Sequence, residues 1–357
     1  VEFFGGTVDL KYFASVFNSD DAIDWDQGWR GRGQFWFVLQ GLDASGAAAE
    51  MDGAGGDEFT EPFAKPNIFN ATYIGAGVGN QPAGDRAEML MFRDNTGGFY
   101  TNSIFTDYQS DQGGLALTIE DIDNTGSKPQ DSRIRFESGD LALSNNVWWG
   151  FGAGNDPAQF VNPGLANQQA IIDHLLANGN VVADPQIAGV DRATTPTGGL
   201  DPRPTGNSPA YTSARAAYPN EAFFTPVEFI GAFGRENWLR GWTALDAQGY
   251  LGNIATGITV ATEDLGGELP TTLVLDQNFP NPFSGRTAIE FRLAETQQVR
   301  LAVYDVLGRE VTVLVDGVQA AGNYRTEFDA SNMAPGMYLY RITTERGTES
   351  KSMMLIK

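Results

Sequence analysis

Ile68-Phe69-Asn70-Ala71-Thr72-Tyr73-Ile74-Gly75 decides how the N-terminal part of this chain folds. It is a β-prone run interrupted by one Asn and ended by Gly. An Asn followed by a short apolar run returns at Asn102, before Ser103-Ile104-Phe105-Thr106-Asp107, and at Asn146, before Val147-Trp148-Trp149-Gly150. Outward from these lie further short β-prone runs, among them Thr7–Phe13, Gly33–Leu39, Glu88–Asp94 and Ala116–Glu120. Tight two-residue hairpin signals are scarce, and helical periodicity is nearly absent before residue 165. Asn tolerates left-handed backbone and can bond to the chain stacked above and below it. The pattern therefore predicts a right-handed parallel β-helix, each coil a strand–turn–strand unit stacked on its neighbours. An antiparallel sandwich or jelly roll competes with it, because the repeat spacing is irregular.

Residues 160–250 read differently. Asn162-Pro163-Gly164 opens a helix near residues 165–177 that Asn178-Gly179-Asn180 closes. An irregular stretch from Pro185 to Pro219 follows, rich in Pro, Gly, Thr and Asp; so long a segment either packs along a scaffold or binds something. Trp238, Trp242 and Tyr250 form an aromatic group that could close the core or stack on sugars. The expected organisation is a β-helix-like domain over 1–253, a linker over 254–267 and a second domain over 268–357. Two domains suit 357 residues, since single cores rarely grow beyond roughly 250–300.

The last ninety residues alternate with period two. Leu301 and Val303 lead into the turn residue Gly308; Arg325, Glu327 and Asp329 alternate with Thr326 and Phe328; Tyr338, Tyr340 and Ile342 share a face. Six or seven such strands predict an immunoglobulin-like antiparallel β-sandwich. The whole chain is thus expected to be all-β, with one or two short helices.

The succession Asn278-Phe279-Pro280-Asn281-Pro282-Phe283, Leu307-Gly308-Arg309, Gly322-Asn323-Tyr324, Gly336-Met337-Tyr338 and Lys351 to Lys357 resembles the C-terminal sorting domain of the type IX secretion route. The resemblance implies passage across the outer membrane of a Gram-negative bacterium, release or surface attachment, and the type IX machinery as partner. Glu2–Tyr12, Asp20–Gly31, Ala222–Phe233 and Trp238–Thr243 are similar to an uncharacterised family of secreted bacterial β-helix proteins. That likeness implies location and fold, and no activity. In such proteins the Phe3-Phe4-Gly5-Gly6 segment follows earlier coils.

Composition excludes several chemistries. Residues 268–357 hold 11 acidic and 9 basic side chains, a net of −2, which leaves −20 for residues 1–267. So acidic a domain repels nucleic acid and anionic lipid. With no Cys and a single His, His174, there is no disulfide, thiolate zinc site, two-histidine metal site or covalently held haem. Gly53, Gly55 and Gly56 lack the Lys-Ser/Thr that a phosphate loop needs, so no nucleotide is expected. No apolar run is long enough to span a membrane as a helix. The chain begins at Val1 without a signal peptide, as if processed or as part of a longer protein.

The densest polar constellation is Asp20, Asp21, Asp24 and Asp26, followed by Arg30 and Arg32. On a strand Asp24 and Asp26 share a face. Converging carboxylates suit calcium or the acid–base cleavage of a glycoside. They equally suit turn capping and pairing with Arg30 and Arg32 between coils. Glu50, Asp52, Asp57, Glu58 and Glu61 read as a mobile acidic loop. The expectation is an exported surface protein, structural or adhesive, assembling with copies of itself through an open first coil. A polysaccharide-degrading or glycan-binding β-helix protein is the alternative.

Overall fold

A computed structural model describes residues 1–43, 46–53, 61–84, 86–121, 131–251, 273–319, 321–330, 333–344 and 346–356. They divide into two units, Val1–Trp238 and Leu239–Lys357. The expected linker, 254–267, lies outside the described residues.

In the first unit the strands stack in five coils: β1 (Glu2–Phe4) with β2 (Leu10–Val16), β3 (Ile23–Asp26) with β4 (Arg32–Leu39), and β5 (Ala49–Asp52) with β6 (Asn67–Ile74). The fourth holds β7 (Glu88–Arg93), β8 (Gly98–Thr101) and β9 (Ile104–Tyr108); the fifth holds β10 (Leu115–Ile119), helix α1 (Ser132–Glu137), β11 (Leu141–Ser144) and β12 (Val147–Phe151). The first strands form one parallel sheet in the order β1-β3-β5-β7-β10, and the others a second parallel sheet. This is the β-helix that the Asn-interrupted runs predict.

Each strand of the second sheet bends at one residue with left-handed backbone. Tyr12, Phe35, Asn70, Asn102 and Asn145 have φ between 52° and 59° and stack in register. The third Asn of the ladder is thus Asn145, not Asn146, whose buried side chain instead accepts the N–H of Ser103 at 2.8 Å. The first two coils place aromatic residues in a conformation that costs bulky side chains roughly 1–2 kcal/mol each.

Between the sheets runs a column of aromatic side chains. Trp25, Trp29, Trp36, Tyr73, Tyr100, Phe105, Trp148 and Phe160 are fully buried. Each buried indole N–H has an acceptor: Thr96 Oγ1 for Trp25, Val8 O for Trp29, Leu10 O for Trp36 and Asn180 Oδ1 for Trp148. Without them each would cost about 1–3 kcal/mol. Helix α2 (Pro157–Phe160), started by Asp156, contributes Phe160; α3 (Gln168–Ala177) buries Ile171, Ile172 and Leu175 against the last coil, and β13 (Val181–Val182) adds to β12. With α4 (Pro209–Thr212) and α5 (Ala244–Ala247), the described residues hold five short helices rather than one or two.

The irregular stretch packs along the scaffold. After the hairpin β14 (Ile187–Gly189) and β15 (Asp201–Pro204), the chain returns from the fifth coil to the first across the outer face of the second sheet. Asn145 donates to Ala214 O, and Asn102 exchanges two bonds with the Ala216 backbone at 2.9 and 3.1 Å. Asn70 accepts from the Tyr218 hydroxyl and donates to Phe229 O, Gln34 exchanges two bonds with the Thr225 backbone, and Lys11 donates to Phe223 O. These amides bind this strap more than one another. Close approach requires Gly231, φ +94°, where a Cβ would lie 2.7 Å from Thr72 Oγ1.

Among the described residues the second unit contains seven antiparallel strands in sheets of three and four. β16 (Val274–Leu275), β17 (Arg286–Leu293) and β20 (Gly322–Asp329) form one. β18 (Gln297–Tyr304), β19 (Glu310–Gln319), β21 (Gly336–Thr344) and β22 (Gly347–Leu355) form the other. Ile289, Phe291 and Phe328 meet Leu301, Val303, Tyr340 and Ile342 in one core. Tyr338, Tyr340 and Ile342 are buried with exposed residues between them, as the period-two pattern predicts.

Candidate functional site: an acidic cleft on the first sheet

β3 alternates buried Ile23 and Trp25 with Asp24 and Asp26, so the two aspartates share the outer face of the first sheet. Parallel register sets Glu2 beside Asp24, and Asp24 beside Glu50 of β5. Asp52, two residues beyond Glu50, pairs with Arg93 of β7. The coils thus turn carboxylates far apart in sequence into a ladder. Val1, Glu2, Asp20, Asp21, Asp24, Glu50 and Arg86 line a cleft of about 360 Å³.

Two arginines hold the ladder. Arg86 and Arg93 reach the same Glu50 oxygen at 2.5 and 2.6 Å, and Arg93 grips Asp52 with two bonds, at 2.6 and 3.0 Å. The Asp21 carboxylate accepts the Ala47 N–H and Asp26 accepts the N–H of Gln27 in the turn after β3. The expected pairing with Arg30 and Arg32 does not form: Arg32 is taken by Asp9 and Glu221, and Arg30 donates to Phe63 O and lies over the Phe63 ring. Strand direction explains this, since Arg32 begins β4 on the other sheet.

Crowding shifts the titrations. Burial first, then the charges of Asp52, Glu2, Glu50 and Asp26, pushes Asp24 up to about 7. Asp21 and Glu50 share a hydrogen bond and behave as a pair. Burial and the neighbouring Glu50 raise Asp21, whereas for Glu50 the bond from Asp21 and the charges of Arg93 and Arg86 outweigh burial and hold it low. One proton on Asp21 beside an ionised Glu50 is what these shifts imply.

Sequence reasoning missed Glu2, Arg86 and Arg93, which belong to other coils. It read Glu50 and Asp52 as part of a mobile loop, yet they sit on β5 with buried or half-buried side chains. Asp57 and Glu58 lie outside the described residues; Glu61 lies 3.5 Å from Arg135. Asp20 is exposed at the cleft rim. Among the described residues, no group of three or more acidic or His side chains could hold a metal ion. Trp238 is buried in the first unit, stacked 5.0 Å from Phe233 and edge-on to Tyr12. Trp242, 52% exposed, and buried Tyr250 belong to the second unit.

The motif residues of the second unit are mostly ties. Asn278, buried, donates its backbone N–H to the Tyr340 hydroxyl and its side-chain amide to Pro280 O and Thr287 Oγ1, and its side-chain oxygen accepts from Gln277 Nε2. Asn281 accepts the N–H of Met354 at 2.8 Å, and Phe283, following Pro282, bridges to Leu355. The opening motif and the tail therefore clamp one another. Gly308 takes φ +76° in a turn where Arg309 pairs with Asp305; Tyr324, two residues after Gly322, stacks on Phe291 at 5.0 Å; Tyr338, two after Gly336, donates to Ala334 O; Lys351 faces Tyr340. Lys357 lies outside the described residues.

Residues 1–146 match the family model of the pectate-lyase-like β-helix domain, and residues 277–357 that of the secretion-system C-terminal sorting domain. The chain is a type IX cargo built on a β-helix. As a type IX cargo it is delivered to the cell surface or exterior of a Gram-negative bacterium by the type IX machinery. No curated protein matches the cargo. Among solved structures, dimeric latent PorU from Porphyromonas gingivalis is similar at 23% identity over 24% of this chain and 10% of that one, with a TM-score of 0.21. So short an overlap carries no argument about this cargo.

Proposed function

We propose that the exported β-helix is a structural or adhesive element of the cell surface. The observation that carries this reading is the way four carboxylates in and beside the cleft are spent: Glu50 and Asp52 on Arg86 and Arg93, Asp21 on Ala47 and Asp26 on Gln27. These are ties within and between coils. Self-assembly is the further part of the proposal. Electron microscopy of the purified protein checks for ordered assemblies.

A glycan-processing role is the second reading. It is favoured by Asp24, half-buried in the lining of an open cleft beside Glu50 and pushed up to about 7 by burial and the neighbouring carboxylates. The two readings part in one experiment, incubation with a panel of acidic and neutral polysaccharides. The structural reading expects no oligosaccharide release. Release that disappears in Asp24→Asn would replace it with the enzymatic one, and binding without turnover, lost in Trp242→Ala, would favour a glycan-binding module. Calcium at Asp20–Asp26 is tested alongside, by melting the protein with millimolar calcium and with chelator.

A further inference from the structure

The two outer faces of the sorting domain differ in kind. On the three-stranded sheet the solvent side carries paired charges: Arg286 with Asp329, Arg292 with Asp276, and Arg325 with Glu290. The four-stranded sheet carries one such cluster, Arg300 with Glu310 and Asp316, and beside it leaves apolar side chains in water. Val311, Val313, Met337 and Leu339 are 37–50% exposed. They gather at one end of the sheet, because Val313 pairs with Ala302 and Leu339 with Tyr304, two residues along the same strand.

That end leads directly into the turn between β18 and β19, where Val306 is 65% and Leu307 74% exposed. The turn is fixed. Asp305 Oδ1 accepts the N–H groups of Leu307 and Arg309 at 2.9 and 3.0 Å, its other oxygen accepts Arg309 Nε at 2.7 Å, and Gly308 N–H returns to Asp305 O. A rigid tip presenting two adjacent large apolar side chains beside an apolar sheet end costs little entropy to dock. Contiguous exposed apolar surface of this sort marks an interaction site, and well-packed apolar anchors dominate such contacts.

We propose that the Val306–Leu307 tip and the adjoining face, centred on Val313 and Leu339, are the surface by which the type IX machinery grips this domain, through an apolar groove on the machinery. The occupant follows from what the domain is: export is the function it carries, one face of each sheet is used up by the core, and the other outer face is a set of satisfied ion pairs. The proposal rests on the sorting-domain assignment alone, not on the role of the β-helix.

The full chain is produced in a bacterium with a working type IX route, and the fraction at the surface and in the medium is compared with that retained in the periplasm. Deleting residues 277–357 tests the assignment itself and should abolish export. Val306→Ser with Leu307→Ser, and separately Val313→Thr with Leu339→Thr, should lower export by about tenfold or more with the melting temperature unchanged. Glu290→Ser with Arg325→Ser, on the charged face, should stay within about twofold. Export of both apolar variants within twofold of the parent, while the deletion is retained, overturns the proposal. So does a parent that forms dimers which the tip variant loses without any loss of export, since the face would then be a self-contact. Should a paired variant fold poorly, Leu307→Gln alone, at a side chain already in water, gives the same reading.

Discussion

The outer faces of the two parallel sheets carry polar ladders of opposite kind. On the second sheet the ladder is neutral: Gln34, Asn70 and Asn102 are buried and spend their amides on the backbone of the returning strap. On the first sheet it is ionic: Glu2, Asp24 and Glu50 line an open cleft, Asp52 continues the ladder beyond it, and Arg86 and Arg93 are the counter-charges. Both arise from one device, parallel register that stacks like positions of successive coils. A ladder of amides can satisfy itself completely, because each amide both donates and accepts. A ladder of carboxylates cannot, and must recruit cations or hold protons. The neutral ladder should therefore respond to loss of a side chain and ignore pH, while the ionic ladder does the reverse.

The sharpest way to break this contrast is Asn102→Ala. The change strands the N–H and C=O of Ala216 and puts Ala at φ 52°, for a loss of about 2–4 kcal/mol. Urea unfolding followed by Trp fluorescence should show it, with faster protease cutting of the strap. An unchanged midpoint would mean that the strap is not held by the amides. Asn102→Gly, which relieves the backbone cost but not the lost bonds, should recover only part.

The next test is pH. Asp24 and Asp21 have native values above the ordinary Asp value of 3.8. The folded state therefore holds protons that the unfolded chain releases, so stability is greatest at mildly acid pH and falls as pH rises from about 4 to about 7–8. After discounting for solvent at the cleft, the loss should be on the order of 1–2 kcal/mol. Asp24→Asn should flatten much of the slope; a parent curve already flat across that window would refute the ionic ladder.

The smallest effect belongs to His174, whose Nε2 accepts the Leu143 N–H at 3.2 Å and whose ring lies edge-on to Phe136. Burial lowers its affinity for protons below the ordinary value of 6.5, and an acceptor nitrogen leaves no place for one. Stability from this contact is therefore present above pH 6.5 and lost as pH falls below it, opposite in sign to the carboxylates. The loss should be under about 1 kcal/mol, visible as a difference between parent and His174→Gln melts at pH 5 that vanishes at pH 8.

Much of the architecture was legible. Short β-prone runs broken by Asn foretold coils bent at left-handed residues, and alternation at Tyr338, Tyr340 and Ile342 foretold a sandwich face. The alternation of Asp24 and Asp26 with Ile23 and Trp25 foretold a shared outer face as well. The partners of those aspartates were not legible, because loop insertions of unequal length separate Glu2, Asp24, Glu50 and Arg93. Nor was the neighbour of Asn102, since Ala216 lies in a stretch without periodicity.

What the sequence determined by itself was local and periodic: the strands, their buried faces, the turns that need Asn or Gly, and the motifs of export. These depend on neighbours two to four positions away, where backbone geometry fixes which side chains meet. What only the tertiary structure decided was which coil brings which charge. Arg93 beside Glu50 and Asp52, the strap on the amide ladder, and the proton kept near Asp21 all follow from stacking across loops of unequal length. Side chains from different coils stack in the shared core, Phe3 on Trp29 and Trp25 on Tyr100, and a linear pattern does not record that packing.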